Sequence, residues 1–192
     1  MNPTRQGVPI IISGPSGVGK TTVIRRLLEQ CRLPLVLSVS ATTRGLRPGE
    51  RDGVDYHFLT DQEFERRRES GDFLECFQVY GGSHWYGSLR REVTSSLEAG
   101  KWVVLDVDVK GAMAVVEQYP GAITVFLRPS SMTELERRLR GRGTESEEKI
   151  QRRLNVAREE LTLASQYQSE VINESVDRAV RDICNILTQS GD

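Results

Sequence analysis

Cysteine is nearly missing from this chain: Cys31, Cys76 and Cys184 are all there is in 192 residues. They are odd in number and far apart, so the sequence offers neither a disulfide framework nor zinc-ligand spacing. Buried, reduced thiols are expected instead. An excess of charge of either sign is missing too. The net charge is −1, which removes any bulk attraction to nucleic acid or to an acidic membrane surface. No apolar run approaches the ~20 residues that cross a bilayer. Behind the opening Met1-Asn2-Pro3-Thr4-Arg5-Gln6 there is no apolar stretch of the signal-peptide kind. A cytoplasmic protein with no nucleic-acid or membrane partner is the expectation. The length suits one domain with a real core, and no repeat or low-complexity segment interrupts it.

What is present begins at Gly14. Gly14-Pro15-Ser16-Gly17-Val18-Gly19-Lys20-Thr21 is a glycine, four free positions and then Gly-Lys-Thr, the phosphate-loop pattern. Its context fits. Val8–Ser13 is an apolar, β-branched run that reads as a buried strand. Thr22 to Cys31 sets Val23, Leu27 and Leu28 against Arg25, Arg26 and Glu29, an amphipathic helix. Glycines let the backbone curl until its N–H groups point at phosphate oxygens. The helix N-terminus adds partial positive charge. Lys20 supplies a full charge to the outer phosphates, and the Thr21 hydroxyl can face Mg²⁺.

Further on, apolar runs alternate with amphipathic ones, which predicts an α/β fold: a parallel sheet covered by helices on both faces, in three α/β/α layers. Strands are expected at Val8–Ser13, Leu35–Ser40, Lys101–Val107, Ala122–Leu127 and Glu170–Asn173. Leu89, Val93 and Leu97 recur every four residues after Ser88, a candidate cap. Ser131 with Glu134 has capping-box spacing ahead of a helix from Met132 to Leu139. Ile150, Leu154, Ala157, Leu161 and Ala164 form one helical stripe, and Val176, Val180, Ile183 and Leu187 another.

Two stretches depart from this alternation. Residues 41–87 carry glycine, arginine and aromatics with short strand-like pieces at Tyr56–Leu59 and Asp72–Val79. A helix from Asp61 to Ser70, opened by Thr60 and Glu63, lies between them. This reads as a small insertion on the sheet. Leu139-Arg140-Gly141-Arg142-Gly143-Thr144-Glu145 is charged and glycine-rich between two helices, and reads as a mobile flap or a solvated loop. The insertion holds Arg44, Arg47 and Arg51 within eight residues, enough to hold a dianionic phosphate through paired N–H contacts. Asp106 and Asp108 close the apolar run Trp102-Val103-Val104-Leu105, and strand period two sets both carboxylates on one face. At the carboxyl end of a parallel strand they would face the ligand crevice.

With these residues in view the chain resembles the guanylate kinases, P-loop nucleoside monophosphate kinases. The resemblance rests on the phosphate loop, Ser38-Val39-Ser40 with Thr42-Thr43-Arg44, Arg47-Pro48-Gly49-Glu50, Gly53 with Asp55-Tyr56, and Phe73-Leu74-Glu75. It continues through Tyr86-Gly87-Ser88, Leu105-Asp106-Val107-Asp108 with Gly111, and Arg138-Leu139 before Gly141-Arg142-Gly143. It implies transfer of the ATP γ-phosphoryl group to GMP with Mg²⁺, and dGMP as an alternative acceptor. It also implies one domain over 1–192, with a core (1–40, 88–128, 155–192), a GMP-binding insertion (41–87) and a lid (129–154). A monomer and a homodimer are both compatible with it.

The implied roles make chemical sense. Gly14, Pro15, Ser16, Gly17, Val18, Gly19, Lys20, Thr21 and Thr22 would hold ATP, with Asn173 on the adenine side. Arg44, Arg47, Tyr56 and Tyr86 would hold the GMP phosphate, two cations neutralising it and two phenols donating to it. Glu75 would accept from guanine N1–H and N2–H₂ together, with Ser40 and Ser88 completing the base contacts. Asp106 would lie near both guanine and the metal waters. Either Asp106 or Asp108 could hold Mg²⁺ through water, beside Thr21. Lys20, Arg44, Arg138, Arg142 and Arg153 would stabilise charge on the transferring group. The segment Cys76–Trp85 is longer than the family's usual loop and carries His84-Trp85. Lys110 adds a charge beside Asp108. A sugar-phosphate kinase would lack the set Ser40, Glu75, Ser88. A non-catalytic scaffold of this family would lack the intact Lys20-Thr21.

Overall fold

The computed structural model describes residues 7–78, 83–141 and 146–190. In chain order the elements are β1 (Pro9–Ser13), α1 (Lys20–Gln30), β2 (Leu35–Leu37), β3 (Ser40–Thr42), β4 (His57–Phe58), α2 (Asp61–Glu69), β5 (Phe73–Gln78) and β6 (Trp85–Leu89). Then come α3 (Arg90–Glu98), β7 (Trp102–Asp106), α4 (Val109–Gln118), β8 (Ile123–Pro129), α5 (Met132–Arg140), α6 (Glu147–Thr162), β9 (Ser169–Asn173) and α7 (Val176–Ser190). The larger, five-stranded sheet runs β2-β7-β1-β8-β9, with β2–β7 and β8–β9 parallel. Its central strand β1 is buried at every position, as a strand with neighbours on both sides and cover on both faces must be. The smaller, four-stranded sheet runs β4-β3-β6-β5. The fold class is α/β, as the alternation predicts.

The chain divides into two compact units. One takes the residues up to Ile10 with Pro34–Ala122, the other Ile11–Leu33 with everything from Ile123 onward. In the first unit, the smaller sheet buries one face against α2. Phe64 stacks on Phe73 with ring centroids 4.4 Å apart, and Ala41 and Leu89 join them. In the second unit, Leu135 and Leu139 of α5 pack on Ile150, Leu154 and Ala157 of α6, all nearly inaccessible. Each such side chain contributes roughly 1.5–3 kcal/mol by leaving water.

The capping signals hold at Thr60 and Ser131, whose hydroxyls accept from the N–H of Glu63 and Glu134. Elsewhere the sequence reading needs correction. Leu35–Ser40 is not one strand. Ser38 N–H still bonds the Val104 carbonyl, but the chain then leaves the larger sheet, and Ser40–Thr42 pairs with β6 instead. Ser88 is no helix cap, because β6 runs on to Leu89 and the Ser88 hydroxyl is spent on Glu75. The three cysteines are free but half-buried. Cys31 at the end of α1 meets Cys184 in the middle of α7: burial, then the neighbouring Cys31 thiol, push the Cys184 thiol up to about 12.

Candidate active site

The residues expected to hold ATP lie in the second unit. Val18 N–H donates to the Pro15 carbonyl and turns the loop. Gly14 sits at φ 142, and a Cβ there would come within 2.0 Å of the Leu127 carbonyl oxygen, so no other residue fits. The loop then feeds α1 through Gly19, at φ 100, with no side chain capping the helix and no acid in its first turn. The N–H groups at a helix start point outward along its axis and suit an anion. Lys20 Nζ reaches back 2.7 Å to the Gly14 carbonyl, across the mouth of the loop. Thr21 and Thr22 are exposed and line an open cleft of about 460 Å³ with Arg25, Arg26 and Val176. Arg153 of α6 bonds the buried Ser16 hydroxyl. Arg138 and Asn173 both bond the Val18 carbonyl, at 3.0 and 2.7 Å. Arg142 and the rest of 142–145 lie outside the described residues.

The residues expected to read guanine lie in the first unit, on the second face of the smaller sheet. Ser40 stands opposite Ser88 across β3–β6, and Glu75 stands opposite Ser88 across β5–β6. Directly opposed residues of an antiparallel pair share a face. The three side chains proposed to read one base therefore form a single transverse row. Tyr86, two residues before Ser88, is on the same face, so the longer segment before it has not displaced the register; residues 79–82 of that segment lie outside the described residues. The row exists because of an irregularity. Phe73 pairs with Leu89 but Glu75 pairs with Ser88, so β5 carries one extra residue, Leu74. This β-bulge turns Glu75 away from the Phe73 face. The Gln118 amide donates to the Leu74 carbonyl at 2.7 Å and Arg90 to the Phe73 carbonyl at 2.9 Å, which fixes the bulge.

Glu75 as a residue is half-buried, but its carboxyl is enclosed. Ser88 Oγ donates to it at 2.7 Å. Burial first, and the Asp108 charge after it, push its pKa up to about 7, although the Ser88 bonds work the other way. Gly111 leaves room for it: a Cβ there would stand 2.9 Å from Glu75 Oε2. The residues expected to hold the GMP phosphate gather beside this row. Tyr56 and Tyr86 meet edge to face at 5.9 Å. The Arg44 guanidinium lies 5.4 Å from the Tyr56 ring centroid. Burial, and then the Asp106 charge, raise the Tyr56 pKa, so the phenol keeps its proton and can donate. Burial also works against the charge on Arg44, but Glu50 and Tyr86 outweigh it. Arg47 is exposed.

Asp106 ends β7, half-buried. Asp108 does not share its strand face. It is the N-cap of α4 and accepts from Gly111 N–H at 2.8 Å, so the period-two argument stops one residue short of it. Three contributors escaped the sequence reading. Glu50 clamps Arg44 through two bonds of 2.9 Å and also accepts from Arg47 N–H; an acid among three arginines was the available signal. Thr42 accepts from Arg44 N–H and donates to the Trp85 carbonyl. The Leu74 bulge was signalled by two adjacent buried residues in a strand.

A parallel sheet with a glycine loop feeding its first helix defines a P-loop kinase fold. A solved shikimate kinase from Bacteroides thetaiotaomicron shares that fold alone, at TM-score 0.50 and 16% identity over 94% of this chain and 98% of its own. Closer comparisons are more specific. The guanylate kinase family model matches residues 6–190. A guanylate kinase from Rhodopirellula baltica is 56% identical over 179 residues, 93% of this chain and 86% of the relative. One from Caldanaerobacter subterraneus subsp. tengcongensis is 46% identical over 187 residues, 97% of this chain and 89% of its own. A solved guanylate kinase from Anaplasma phagocytophilum superimposes at TM-score 0.79 with 31% identity, covering 96% of this chain and 86% of that one. The chain belongs to the guanylate kinase family.

Proposed function

We propose that this protein transfers the γ-phosphoryl group of ATP to GMP, giving ADP and GDP. The observation that carries the proposal is the row Ser40, Ser88 and Glu75 on one face of the smaller sheet. A carboxylate accepts from guanine N1–H and N2–H₂ together. Adenine has no such donor pair, so it would leave a buried carboxylate unpaired, a mismatch worth roughly 10⁴-fold in selection. Residues 41–87 serve as the GMP-binding insertion and 129–154 as a lid.

Arg44, Arg47, Tyr56 and Tyr86 hold the 5′-phosphate of the acceptor. Glu50 keeps the Arg44 fork in place for it. An anionic phosphate oxygen needs no strong base, so alignment and charge neutralisation do the work. Lys20 and the N–H groups from Gly14 to Thr22 hold the donor phosphates. Arg142 and Arg153 are assigned to the charge that builds on the transferring group. His84 is exposed and has no part.

Among the described residues no cluster of three or more His, Cys, Asp or Glu could hold a metal ion by itself. The available donors are the exposed Thr21 hydroxyl and the half-buried Asp106 carboxylate. So sparse and hard a set fits Mg²⁺ arriving on the nucleotide phosphates with most of its waters. Thr21 would bind it directly, with Asp106 or Asp108 bonding its waters. When bound, it would neutralise charge on the outer phosphates.

With Mg-ATP, the purified protein should turn over GMP far faster than AMP, CMP or UMP in a coupled ADP-release assay. Folded protein without GMP-dependent ADP release would overturn the proposal. A second expectation concerns Gly111. The nearest atom a new Cβ would meet is the end of the Glu75 side chain, which can move, with Val107 Cβ next at 3.2 Å. Gly111→Ala should therefore keep its melting temperature within a few degrees yet lose about tenfold in kcat/KM for GMP. Steady-state kinetics beside a thermal melt would decide it, and an unchanged GMP constant would mean that Glu75 has room to spare.

A further inference from the structure

We propose that Asn173 and Arg138 are positioning residues of the phosphate loop, acting through the Val18 carbonyl rather than on adenine or the transferring phosphoryl group. Asn173 ends β9 and is 2% exposed. Its Nδ2 donates to the Val18 carbonyl at 2.7 Å. Arg138 Nη1 donates to the same oxygen at 3.0 Å, and Arg138 Nη2 to the Asn173 carbonyl at 3.1 Å. The remaining nitrogen, Nε, is held by Glu134 at 2.7 Å. Loop, β9 and α5 are thus joined at one buried oxygen.

The consequence follows from the planar trans peptide. The C=O of Val18 and the N–H of Gly19 belong to one peptide unit and point in opposite directions. Two donors that hold the carbonyl inward therefore hold the Gly19 N–H outward, toward the concave side where phosphate binds. Gly19 lies against Asn173: a Cβ there would come within 2.8 Å of Nδ2. The Asn173 Oδ1 is buried and has no hydrogen-bond partner among the described residues, so its bond to Val18 is what fixes the side chain. Water has little access at 2% exposure, so when one donor is lost the Val18 carbonyl is held by the other alone.

The decisive variant is Asn173→Asp, which keeps the shape and sets an oxygen against the Val18 oxygen. Inhibition by inorganic tripolyphosphate and by ADP, each competing with ATP, reads the loop with and without adenine. Both constants should weaken by about tenfold, which is ~1.4 kcal/mol, while GMP affinity and kcat at saturating ATP stay within about threefold. The Gly19 amide should exchange with deuterium faster than in the parent. If only ADP weakens, Asn173 contacts adenine and the proposal fails. If GMP affinity falls in step, the residue is a general fold support and the proposal fails too. For the arginine, Asn173→Ala and Arg138→Ala should be markedly less than additive on tripolyphosphate, because both act on one oxygen. Full additivity, or a collapse of kcat in Arg138→Lys at unchanged tripolyphosphate affinity, would place Arg138 on the reacting group instead. Unchanged exchange and unchanged tripolyphosphate inhibition in Asn173→Asp would remove the idea altogether.

Discussion

Replacing Glu75 by glutamine should lower kcat/KM for GMP by about 10³–10⁴-fold and leave the KM for ATP within about twofold. Glutamine keeps the shape, but its amide NH₂ would face guanine donors with a donor of its own. The Ser88 hydroxyl already donates to this carboxyl, so the acceptor capacity lost would be the part proposed for guanine. A matching loss for ATP would show that Glu75 supports the fold and does not read the base.

The same residue links GMP use to pH. In the ligand-free protein its pKa is pushed up to about 7, and guanine requires the ionised form. GMP kcat/KM should therefore fall as pH drops below about 7, a fall that Glu75→Gln abolishes. The stability effect has the opposite sense. A carboxyl whose folded pKa lies above its unfolded one stabilises the fold while protonated. That contribution is complete below the ordinary value of 4.5 and is lost as pH rises to about 7. At pH 8 the ligand-free Glu75→Gln protein should accordingly melt about 2–4 °C above the parent, a difference that vanishes in acid. Thermal melts across this range would check it; a variant less stable at pH 8 would mean that the carboxylate is already compensated.

Removing Lys20 should have an effect of similar size on the other substrate. Lys20→Ala is expected to lower kcat by about 10³-fold or more while GMP still binds measurably. The donor phosphates would lose the ammonium charge proposed to face them, a loss of ~4 kcal/mol if it is felt only in the transition state. The lysine also bonds the Gly14 carbonyl, so the loop itself will loosen. Measuring ADP affinity separates the two effects. A variant that binds ADP normally and fails only in turnover lost the transition-state charge. A variant that keeps its turnover would show that Lys20 does not carry the reaction.

Much of this was legible in the sequence because local chemistry enforced it. The phosphate loop announces itself through glycines that no other residue can replace, Gly14 above all. The helices follow from their stripes, and two starts from Thr60 and Ser131. The set proposed to read guanine was legible only through resemblance, because nothing local places Ser40, Glu75 and Ser88 in one row; long-range pairing does. Asp108 misled for a related reason. Counting alternate residues past Asp106 assumes a strand that has already ended, where a cap begins. Asn173 has no local signal at all: its partner Val18 lies 155 positions away.

The bulge at Leu74 makes base choice a matter of parity. Side chains on a strand alternate, so whether Glu75 looks toward the row depends on whether the residues between it and Phe73 number odd or even against the opposite strand. Pairing without the bulge, with Leu74 opposite Ser88, would put an apolar side chain in the row and turn the carboxylate toward the Phe64 core; deleting Leu74 outright would leave Glu75 opposite Ser88. A slip of one residue thus separates a polar row from an apolar one. What holds it off is the pair of bonds from Arg90 and Gln118 to the bulge's carbonyls, made by two side chains that lie outside the row.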